Sequence, residues 1–282
     1  MLQESLIRAW KNRASLRDPR KLRPWLYRIA TNVCLDHLKQ QKRRQLAPNF
    51  IAPSDPAQPF PPPSPDQAWL EPYPDEWLPD QGAHPEQQLL ETETVSLAFL
   101  ASIQLLPPQQ RAALILVDVL DWSAEETAAA LGNSLSSVNS LLYRARKKLR
   151  ERARPEAGRS ASKLEEQDLL AQYLRAWERS DAEALSRILT EDAIFHMPPF
   201  PAWYAGREAI RQMTAAQLFG VAASWTLKQS AANRQPAFWL YRSADPQAAP
   251  QLFGFMLLRL SAAGIAEIAA FLDPQLLATL AQ

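Results

Sequence analysis

The fold of the first half of this chain is decided by residues 106–149, LPPQQRAALILVDVLDWSAEETAAALGNSLSSVNSLLYRARKKL. Ser123 and Glu126 have the spacing of a capping box, in which each side chain accepts a hydrogen bond from the backbone N–H of the other. A helix is therefore predicted to begin at this point. Gly132-Asn133 is predicted to end that helix in a tight turn, and Ser134 to cap the next helix.

The second of these helices has two contrasting faces. Its apolar residues recur at intervals of three and four, which predicts one buried stripe formed by Leu135, Val138, Leu142, Ala145 and Leu149. The opposite face has small polar side chains in its first half and cations in its second half. Small side chains let a helix enter the DNA major groove, short polar groups reach base edges, and cations contact phosphates. This distribution favours a DNA-binding helix-turn-helix over the alternative, an ordinary amphipathic surface helix.

Further helices are predicted upstream of this motif, over Glu86–Leu106 and Pro108–Leu120. The N-terminal segment predicts a helix over residues 2–10 and another from Pro24 to about Arg44. Two helices are too few to bury a core of their own, so this segment is predicted to be a fragment of a larger helical bundle.

Charge divides the chain more sharply than its net value of +1 indicates. Residues 1–46 contain 12 Lys and Arg against 3 Asp and Glu, whereas residues 47–100 contain 9 Asp and Glu and no Lys or Arg. Twelve of the 24 prolines lie between Pro48 and Pro85, so this stretch cannot continue a helical or central-strand domain. Basic blocks on either side of an acidic spacer indicate two contacts with a polyanion; the alternative is solvated surface charge.

The acidic spacer also contains an aromatic segment, WLEPYPDEWL, at residues 69–78. Three aromatic residues in ten are unusual for a passive tether, so we expect them to dock on another surface, the neighbouring domain being the nearest. The negative charge of the spacer is compatible with a cationic nucleic-acid channel of a partner, and it is equally compatible with a plain flexible tether.

The last third of the chain changes its periodicity. Helices are predicted over residues 164–179, 182–189 and 207–219, and strands over 193–197, 221–230, 236–242, 251–260 and 264–271. Helices followed by an antiparallel meander predict an α+β domain with its sheet curled around the helices.

Composition excludes several classes of protein. Cys34 is the only cysteine and the three histidines are scattered, so neither a disulfide framework nor a metal site is expected, and no cofactor is expected. The apolar runs are too short to span a membrane, and the N-terminus lacks the apolar core of a signal peptide. The expected location is the cytoplasm.

Two long segments resemble extracytoplasmic-function sigma factors of the sigma-70 family. PWLYRIATNVCLDHLKQQKRR at 24–44 resembles the helix that binds the promoter −10 element, and residues 106–149 resemble the region 4 helix-turn-helix that binds the −35 element. The aromatic spacer and FHMPPFPAWYAGREAI at 195–210 resemble the subgroup with a C-terminal SnoaL-like domain. In the family another helix precedes the segment that begins here at Met1, so the resemblance implies an N-terminally truncated sigma factor.

The resemblance implies a multidomain chain with four parts. These are an all-α region 2 fragment at 1–46, a Pro-rich acidic linker at 47–90, an all-α region 4 helix-turn-helix at 91–154, and an α+β SnoaL-like cone of the cystatin-like type at 163–282. It also implies a protein that is not an enzyme and that binds core RNA polymerase and promoter DNA to initiate transcription, without a membrane partner. A DNA-binding regulator, or a SnoaL-like enzyme with a degenerate sigma leader, is the alternative.

The resemblance also places residues at each DNA element. For the −35 element the expected contacts are Ser136, Ser137, Ser140, Arg144, Arg146, Lys147 and Lys148. For the −10 region, where cations hold a displaced strand, they are Arg23, Arg28, Asn32, Asp36, Lys39, Arg43 and Arg44. Trp25 lies on the apolar stripe of its helix, which favours core packing over base stacking.

The C-terminal domain has one candidate pocket, formed by Asp192, His196, Tyr204 and Arg207. An Asp/His pair can act as general base and acid, as in SnoaL-like enzymes. The alternative, which we favour, is a regulatory domain with a small-molecule ligand or a purely packing role, in which His196 is a core histidine.

Overall fold

The computed structural model describes residues 2–16, 18–40, 44–49, 51–64, 66–78, 96–152, 163–245 and 248–281. The chain divides into two compact units. The first contains Met1–Arg43 and Ala98–Arg154, and the second contains Arg44–Leu97 and Pro155–Gln282. The acidic spacer therefore groups with the C-terminal domain and not with the helices on either side of it.

The first unit is helical. Its helices are α1 (Leu2–Lys11), α2 (Leu22–Gln40), α3 (Leu97–Gln104), α4 (Pro108–Leu114), α5 (Ala124–Leu131) and α6 (Leu135–Arg152). One wide helical turn, Ile115–Val119, continues α4, so the helix predicted over Pro108–Leu120 is present but changes its winding. The first part of the helix predicted over Glu86–Leu106 lies outside the described residues.

The core of the helix-turn-helix lies between α4, α5 and α6. Ala113 on α4 and Val138 and Ala145 on α6 are fully buried. The buried Arg111 donates to the carbonyl oxygens of Gln104 (2.7 Å) and Leu106 (3.3 Å), which binds the end of α3 to α4. These contacts confirm the predicted stripe except at its first residue.

Leu135 is the exception, because it is 41% exposed although the spacing predicted burial. Leu135 is the first residue of α6, so no preceding turn of that helix packs against the side chain. Leu141, outside the predicted stripe, is buried and widens the apolar face of α6.

α2 packs against α4 and α5 within the first unit. The rings of Tyr27 on α2 and Trp122 meet edge to face with centroids 4.8 Å apart. Trp25 is buried, and its Nε1 donates to Ser15 Oγ at 3.0 Å, so the prediction of core packing for Trp25 is confirmed. The N-terminal helical segment and the first two helices of the helix-turn-helix region therefore lie side by side.

The second unit contains a six-stranded sheet and four helices. Its helices are α7 (Lys163–Glu178), α8 (Ala182–Arg187), α9 (Arg207–Met213) and α10 (Pro274–Leu280). Its strands are β1 (Leu189–His196), β2 (Trp203–Ala205), β3 (Ser224–Ala232), β4 (Gln235–Ser243), β5 (Gln251–Ser261) and β6 (Gly264–Phe271). The predicted strands are all present, β2 and α10 were not predicted, and a wide turn at Thr214–Leu218 ends the helix predicted over 207–219.

The sheet is mixed: the predicted antiparallel meander is confirmed for β3, β4, β5 and β6, whereas the parallel partner of β1 was not predicted. Its strand order is β2-β1-β6-β5-β4-β3, and β1 pairs with β6 in parallel. Turn signals between successive strands specify the hairpins, but they do not specify the neighbour of β1. At Gly264 a Cβ would lie 2.5 Å from the Ile188 carbonyl oxygen, so only glycine permits this close approach at the start of β6.

One face of the sheet packs against α7, α8 and α9 around a large apolar core. Its largest side chains are aromatic or sulfur-containing and include Tyr173, Trp177, Phe195, Phe238 and Met256. Tyr173 Oη donates to Met256 Sδ at 3.2 Å, and burial raises the pKa of Tyr173 well above its usual range. The curled sheet and helices form the α+β cone that was predicted.

The opposite face of the sheet is partly covered by the acidic spacer. We call residues 44–78 the connector strap. Its Ala47, Ile51 and Trp69 pack against Ile194 and Trp203. Most of the strap is extended. Its many prolines have no N–H group, so the strap has few backbone donors of its own and its carbonyl oxygens accept hydrogen bonds from elsewhere.

The C-terminal domain supplies those donors. Trp203 Nε1 donates to the Ile51 carbonyl oxygen (2.9 Å), and Gln217 Nε2 donates to those of Pro56 (3.1 Å) and Gln58 (2.9 Å). The expectation that the aromatic spacer docks on the neighbouring domain is confirmed for Trp69.

Candidate nucleic-acid interface

Local hydrogen bonds hold the turn that orients the helices of the motif. Glu126 N–H donates to Ser123 Oγ (3.1 Å) and Ser123 N–H donates to Glu126 Oε2 (3.0 Å), so the predicted capping box is confirmed. Helix α5 ends at Gly132, whose φ of +66° suits glycine. Ser134 Oγ accepts from the Ser137 N–H at 3.2 Å and caps α6. These bonds set where α6 begins and which of its residues face outward.

The outward face of α6 combines short polar groups with an arginine. Ser140 Oγ donates to the Ser136 carbonyl oxygen (3.0 Å), and Arg144 Nε donates to that of Ser140 (3.2 Å). Within the described part of the chain, no acceptor holds the two terminal amino groups of Arg144. A shallow, open cleft follows this face and is lined by Leu135, Ser136, Asn139, Ser140, Tyr143 and Arg144.

Two residues of this cleft, Asn139 and Tyr143, were not among the predicted site residues. Tyr143 is 64% exposed, so its ring is accessible from the cleft. Helical spacing identifies both, because Asn139 and Tyr143 follow Ser136 and Ser140 by three positions. Ser137, by contrast, is only half exposed at the edge of the face.

The predicted cations of α6 do not have the same environment. Arg146 pairs in a bidentate manner with Asp118, through Nε to Oδ2 (3.1 Å) and a terminal amino group to Oδ1 (2.6 Å). The hydrogen bond from Asp118 raises the pKa of the Arg146 guanidinium. Arg146 therefore ties α6 to the turn after α4. Lys147 and Lys148 are exposed on the C-terminal half of α6.

The −10 candidates on α2 follow one helical face. Arg28, Asn32 and Asp36 are spaced four residues apart, and the first two are exposed. Asp36 Oδ2 accepts from the Arg8 guanidinium at 3.2 Å, which joins α1 to α2. Arg44 lies in the connector strap and pairs with Glu71 at 2.7 Å. The side chains of Arg23 and Lys39, and all of Arg43, lie outside the described residues.

The structure does not bring the candidate pocket of the C-terminal domain together. Tyr204 pairs with Phe195 across β1 and β2, and both are buried in the core of the cone. His196 pairs with Trp203, which packs on the opposite face of the sheet under the connector strap. Asp192 is exposed and accepts from Thr190 Oγ1, and the exposed Arg207 forms an ion pair with Glu191.

His196 belongs instead to a mostly buried polar cluster, which we call the sheet triad: His196 on β1, Glu267 on β6 and Arg259 on β5. Glu267 Oε1 lies 3.0 Å from His196 Nε2, and Arg259 Nε donates to Glu267 Oε2 at 3.1 Å. Burial by itself would raise the pKa of Glu267, but the contacts with His196 and Arg259 lower it to about 2. His196 is 0% exposed and the side chains of Glu267 and Arg259 are mostly buried, so the cluster fits a structural contact that ties three strands. Sequence reasoning missed Glu267, whose signal was a lone carboxylate in the apolar strand GIAEIAAF.

Two further searches of the described residues bear on metals and membranes. Among the described His, Cys, Asp and Glu residues, none group in a way that would hold a metal ion. Over the same part of the chain, every helix falls short of the length and apolarity that crossing a bilayer requires.

A capped helix-turn-helix with an exposed polar and cationic face, joined to an α+β cone, defines a DNA-binding transcription protein with an accessory domain. Comparisons with known proteins agree. Residues 1–44 match the family model for sigma-70 region 2, residues 96–149 match that for sigma-70 region 4, and residues 170–268 match that for the SnoaL-like domain.

The chain is 40% identical over 281 residues to the ECF RNA polymerase sigma factor SigG of Mycobacterium tuberculosis, covering 98% of this chain and 74% of that protein. It is 30% identical over 148 residues to SigM of the same species, covering 52% of this chain and 60% of that protein. The crystal structure of the M. tuberculosis extracytoplasmic function sigma factor SigJ has the same fold, with a TM-score of 0.57 at 17% identity over 98% of this chain and 88% of that one. The chain belongs to the extracytoplasmic-function RNA polymerase sigma factors with a C-terminal SnoaL-like domain, which direct polymerase to promoters for transcription initiation.

Proposed function

We propose that α6 binds the promoter −35 element through its exposed face. The observation that carries this proposal is the cleft of short polar side chains that ends at Arg144. Ser136, Asn139 and Ser140 have the length to reach base edges or sugars, and Arg144 has amino groups to offer a phosphate. Lys147 and Lys148 add phosphate contacts, and Tyr143 adds a flat surface against the backbone.

On α2 we propose that Arg28 and Asn32 contact the −10 region. Both are exposed on one helical face, which supports a shared contact with a DNA strand. Asp36 and Arg146, each held by an ion pair, are proposed as positioning residues that keep the helices in place. The partners in this proposal are core RNA polymerase and promoter DNA in the cytoplasm, consistent with the name of the SigG relative.

We propose that the C-terminal domain regulates the sigma regions and does not catalyse a reaction. Two observations support this: His196 of the sheet triad is fully buried, and the interior of the cone is filled by apolar side chains. The domain instead binds the connector strap, which is the stretch of chain between the two DNA-facing regions.

The packing of α2 against α4 and α5 supports a closed state as the regulated form. The −10 and −35 elements lie roughly 60 Å apart in B-DNA at 3.4 Å per base step. A compact unit of about 100 residues has a radius of gyration of only about 13 Å. Helices α2 and α6 therefore have to separate before both elements are bound, and a docked connector opposes that separation.

Run-off transcription with core polymerase tests the proposal. We expect the full chain to direct promoter-specific transcripts, and Arg144→Ala to reduce them. Arg175→Ala removes the same charge from an exposed position on α7 and is the matched control. Equal transcript yields from the two variants would contradict the role of α6.

A further inference from the structure

The turn between β3 and β4 has an unusual backbone. Ala232 pairs with Gln235, so the hairpin closes on a two-residue loop, Asn233-Arg234. Both loop residues have positive φ, +53° and +55°, as a type I′ turn requires. Asparagine tolerates this conformation, but arginine does so at a cost that glycine would avoid. A strained residue in a turn indicates that the turn has a use beyond reversing the chain.

This turn holds the connector strap through three hydrogen bonds. Tyr73 N–H donates to Asn233 Oδ1 (2.9 Å), and Asn233 N–H donates to the Tyr73 carbonyl oxygen (2.9 Å). Arg234 N–H donates to Asp75 Oδ1 at 2.8 Å. Asn233 is 1% exposed, so these bonds are shielded from water.

Each residue of the bound segment has a part that the turn recognises. Pro74 forms an antiparallel bridge with Ala232 and requires no acceptor, because it has no N–H. Tyr73 stacks edge to face on Trp77 at 5.5 Å, which stiffens the segment. The left-handed backbone of Asn233-Arg234 directs two successive N–H groups toward the strap, one to a carbonyl and one to a carboxylate.

The residue that follows the turn, Gln235, also contacts the start of α3. Gln235 Oε1 accepts from the Leu97 N–H at 3.2 Å, at the first residue of α3. Residues 73–75 and residue 97 are therefore both attached to a segment of four residues, 232–235.

We infer that the β3–β4 turn is a peptide-recognition site for an extended Pro–acidic segment, and that its natural occupant is Tyr73-Pro74-Asp75 of the same chain. Its occupancy holds the connector on the C-terminal domain and so shortens the tether between α2 and α3. The recognition itself stands on the contacts above, whereas its regulatory effect rests on the proposed function.

Hydrogen–deuterium exchange of the full chain tests the recognition. Asn233→Gly keeps a residue that favours positive φ but removes Oδ1, and Asp75→Ala removes the carboxylate from the strap without touching the domain. We expect amide exchange in residues 70–78 to rise about five- to tenfold in each, the effect of about one lost hydrogen bond. Glu76→Ala, the adjacent exposed carboxylate, is the matched control and should leave the exchange unchanged. Arg234→Gly keeps the N–H and relieves the strain, so exchange should not rise.

Unchanged exchange in residues 70–78 of both Asn233→Gly and Asp75→Ala, with native protection of β5 and β6, would overturn the inference. Run-off transcription with the same variants distinguishes recognition of the strap by the turn from an effect of that recognition on transcription. More transcript from Asp75→Ala than from Glu76→Ala supports the regulatory effect. Faster exchange with unaltered transcription supports the recognition site and overturns its regulatory role.

Discussion

The outward face of α6 and the sheet triad contain similar residue types and have opposite roles. Arg144 on α6 is exposed, and in the described part of the chain its terminal amino groups have no protein acceptor. Arg259 in the triad is bound to Glu267, which also holds His196 in a fully buried position. Polar residues that the protein itself pairs and buries are expected to serve the fold, and those left exposed are available to a ligand. The two environments differ in the availability of partners and not in residue type.

The largest expected effect comes from removing the centre of the triad. Glu267→Ala leaves the buried His196 and the partly buried Arg259 without their acceptor, which costs about 3–5 kcal/mol of the free energy of unfolding. Denaturant unfolding of the full chain measures this loss. Glu191→Ala, an exposed carboxylate paired with Arg207, is the control and should cost less than about 1 kcal/mol. Equal costs would show that the triad is no more structural than a surface ion pair.

The triad also predicts a pH dependence. The pKa of Glu267 is lowered in the folded state, so its contribution to stability is present above the ordinary carboxylate pKa of 4.5 and is lost as the pH falls toward 2. Between pH 6 and about pH 2–3, the free energy of unfolding should fall more steeply with decreasing pH in wild type than in Glu267→Gln, which has no carboxylate to titrate at this position. The same pH dependence of the free energy of unfolding in both proteins would show that Glu267 does not contribute to it.

A smaller effect is expected on the DNA-facing side. Arg144→Ala should lower promoter affinity and reduce the slope of log K against log salt concentration by about 0.9, the value for one phosphate contact. Its free energy of unfolding should change by less than about 0.5 kcal/mol, as for other surface positions. A lower affinity with an unaltered slope would assign Arg144 to a base and not to a phosphate.

The smallest expected effect is on Arg146, and it tests directly whether an available partner decides the role of an arginine on α6. Arg146 lies on the same helix as Arg144, and Asp118→Ala removes its bidentate partner. If partner availability decides the role, the freed guanidinium should gain a phosphate contact and steepen the salt slope by up to about 0.9. Asp121→Ala, in the loop that follows, is the control. No change in slope would show that Arg146 points away from DNA whatever its partner.

The sequence predicted local elements well and distant pairings poorly. The capping box at Ser123, the turn at Gly132 and the buried stripe through Val138 follow from neighbours within four residues. The parallel pairing of β1 with β6 joins residues about 70 positions apart, and nothing in either strand specifies the other. The candidate pocket failed for the same reason. Asp192, His196, Tyr204 and Arg207 lie close in sequence, but strand alternation directs His196 and Tyr204 to opposite faces.

The connector shows the limit of composition. A Pro-rich acidic stretch without Lys or Arg is typical of a flexible tether, yet much of it is docked on the C-terminal domain. Its docking depends on donors such as Trp203 Nε1 and Gln217 Nε2, more than 150 residues away. WLEPYPDEWL contained the one sequence signal of this contact, its aromatic residues.

We propose that the two regions assigned to DNA are held together in the free chain and separate on a promoter. The distance between them in the two states is the direct test of this proposal. Spectroscopic labels at Lys11→Cys on α1 and Arg150→Cys on α6, in a Cys34→Ser background, report it within the first unit. The account predicts a separation below about 40 Å in the free chain, the span of one compact unit. With core polymerase and promoter DNA it predicts an increase to roughly 60 Å, the spacing of the −10 and −35 elements. The same separation in both states would contradict it.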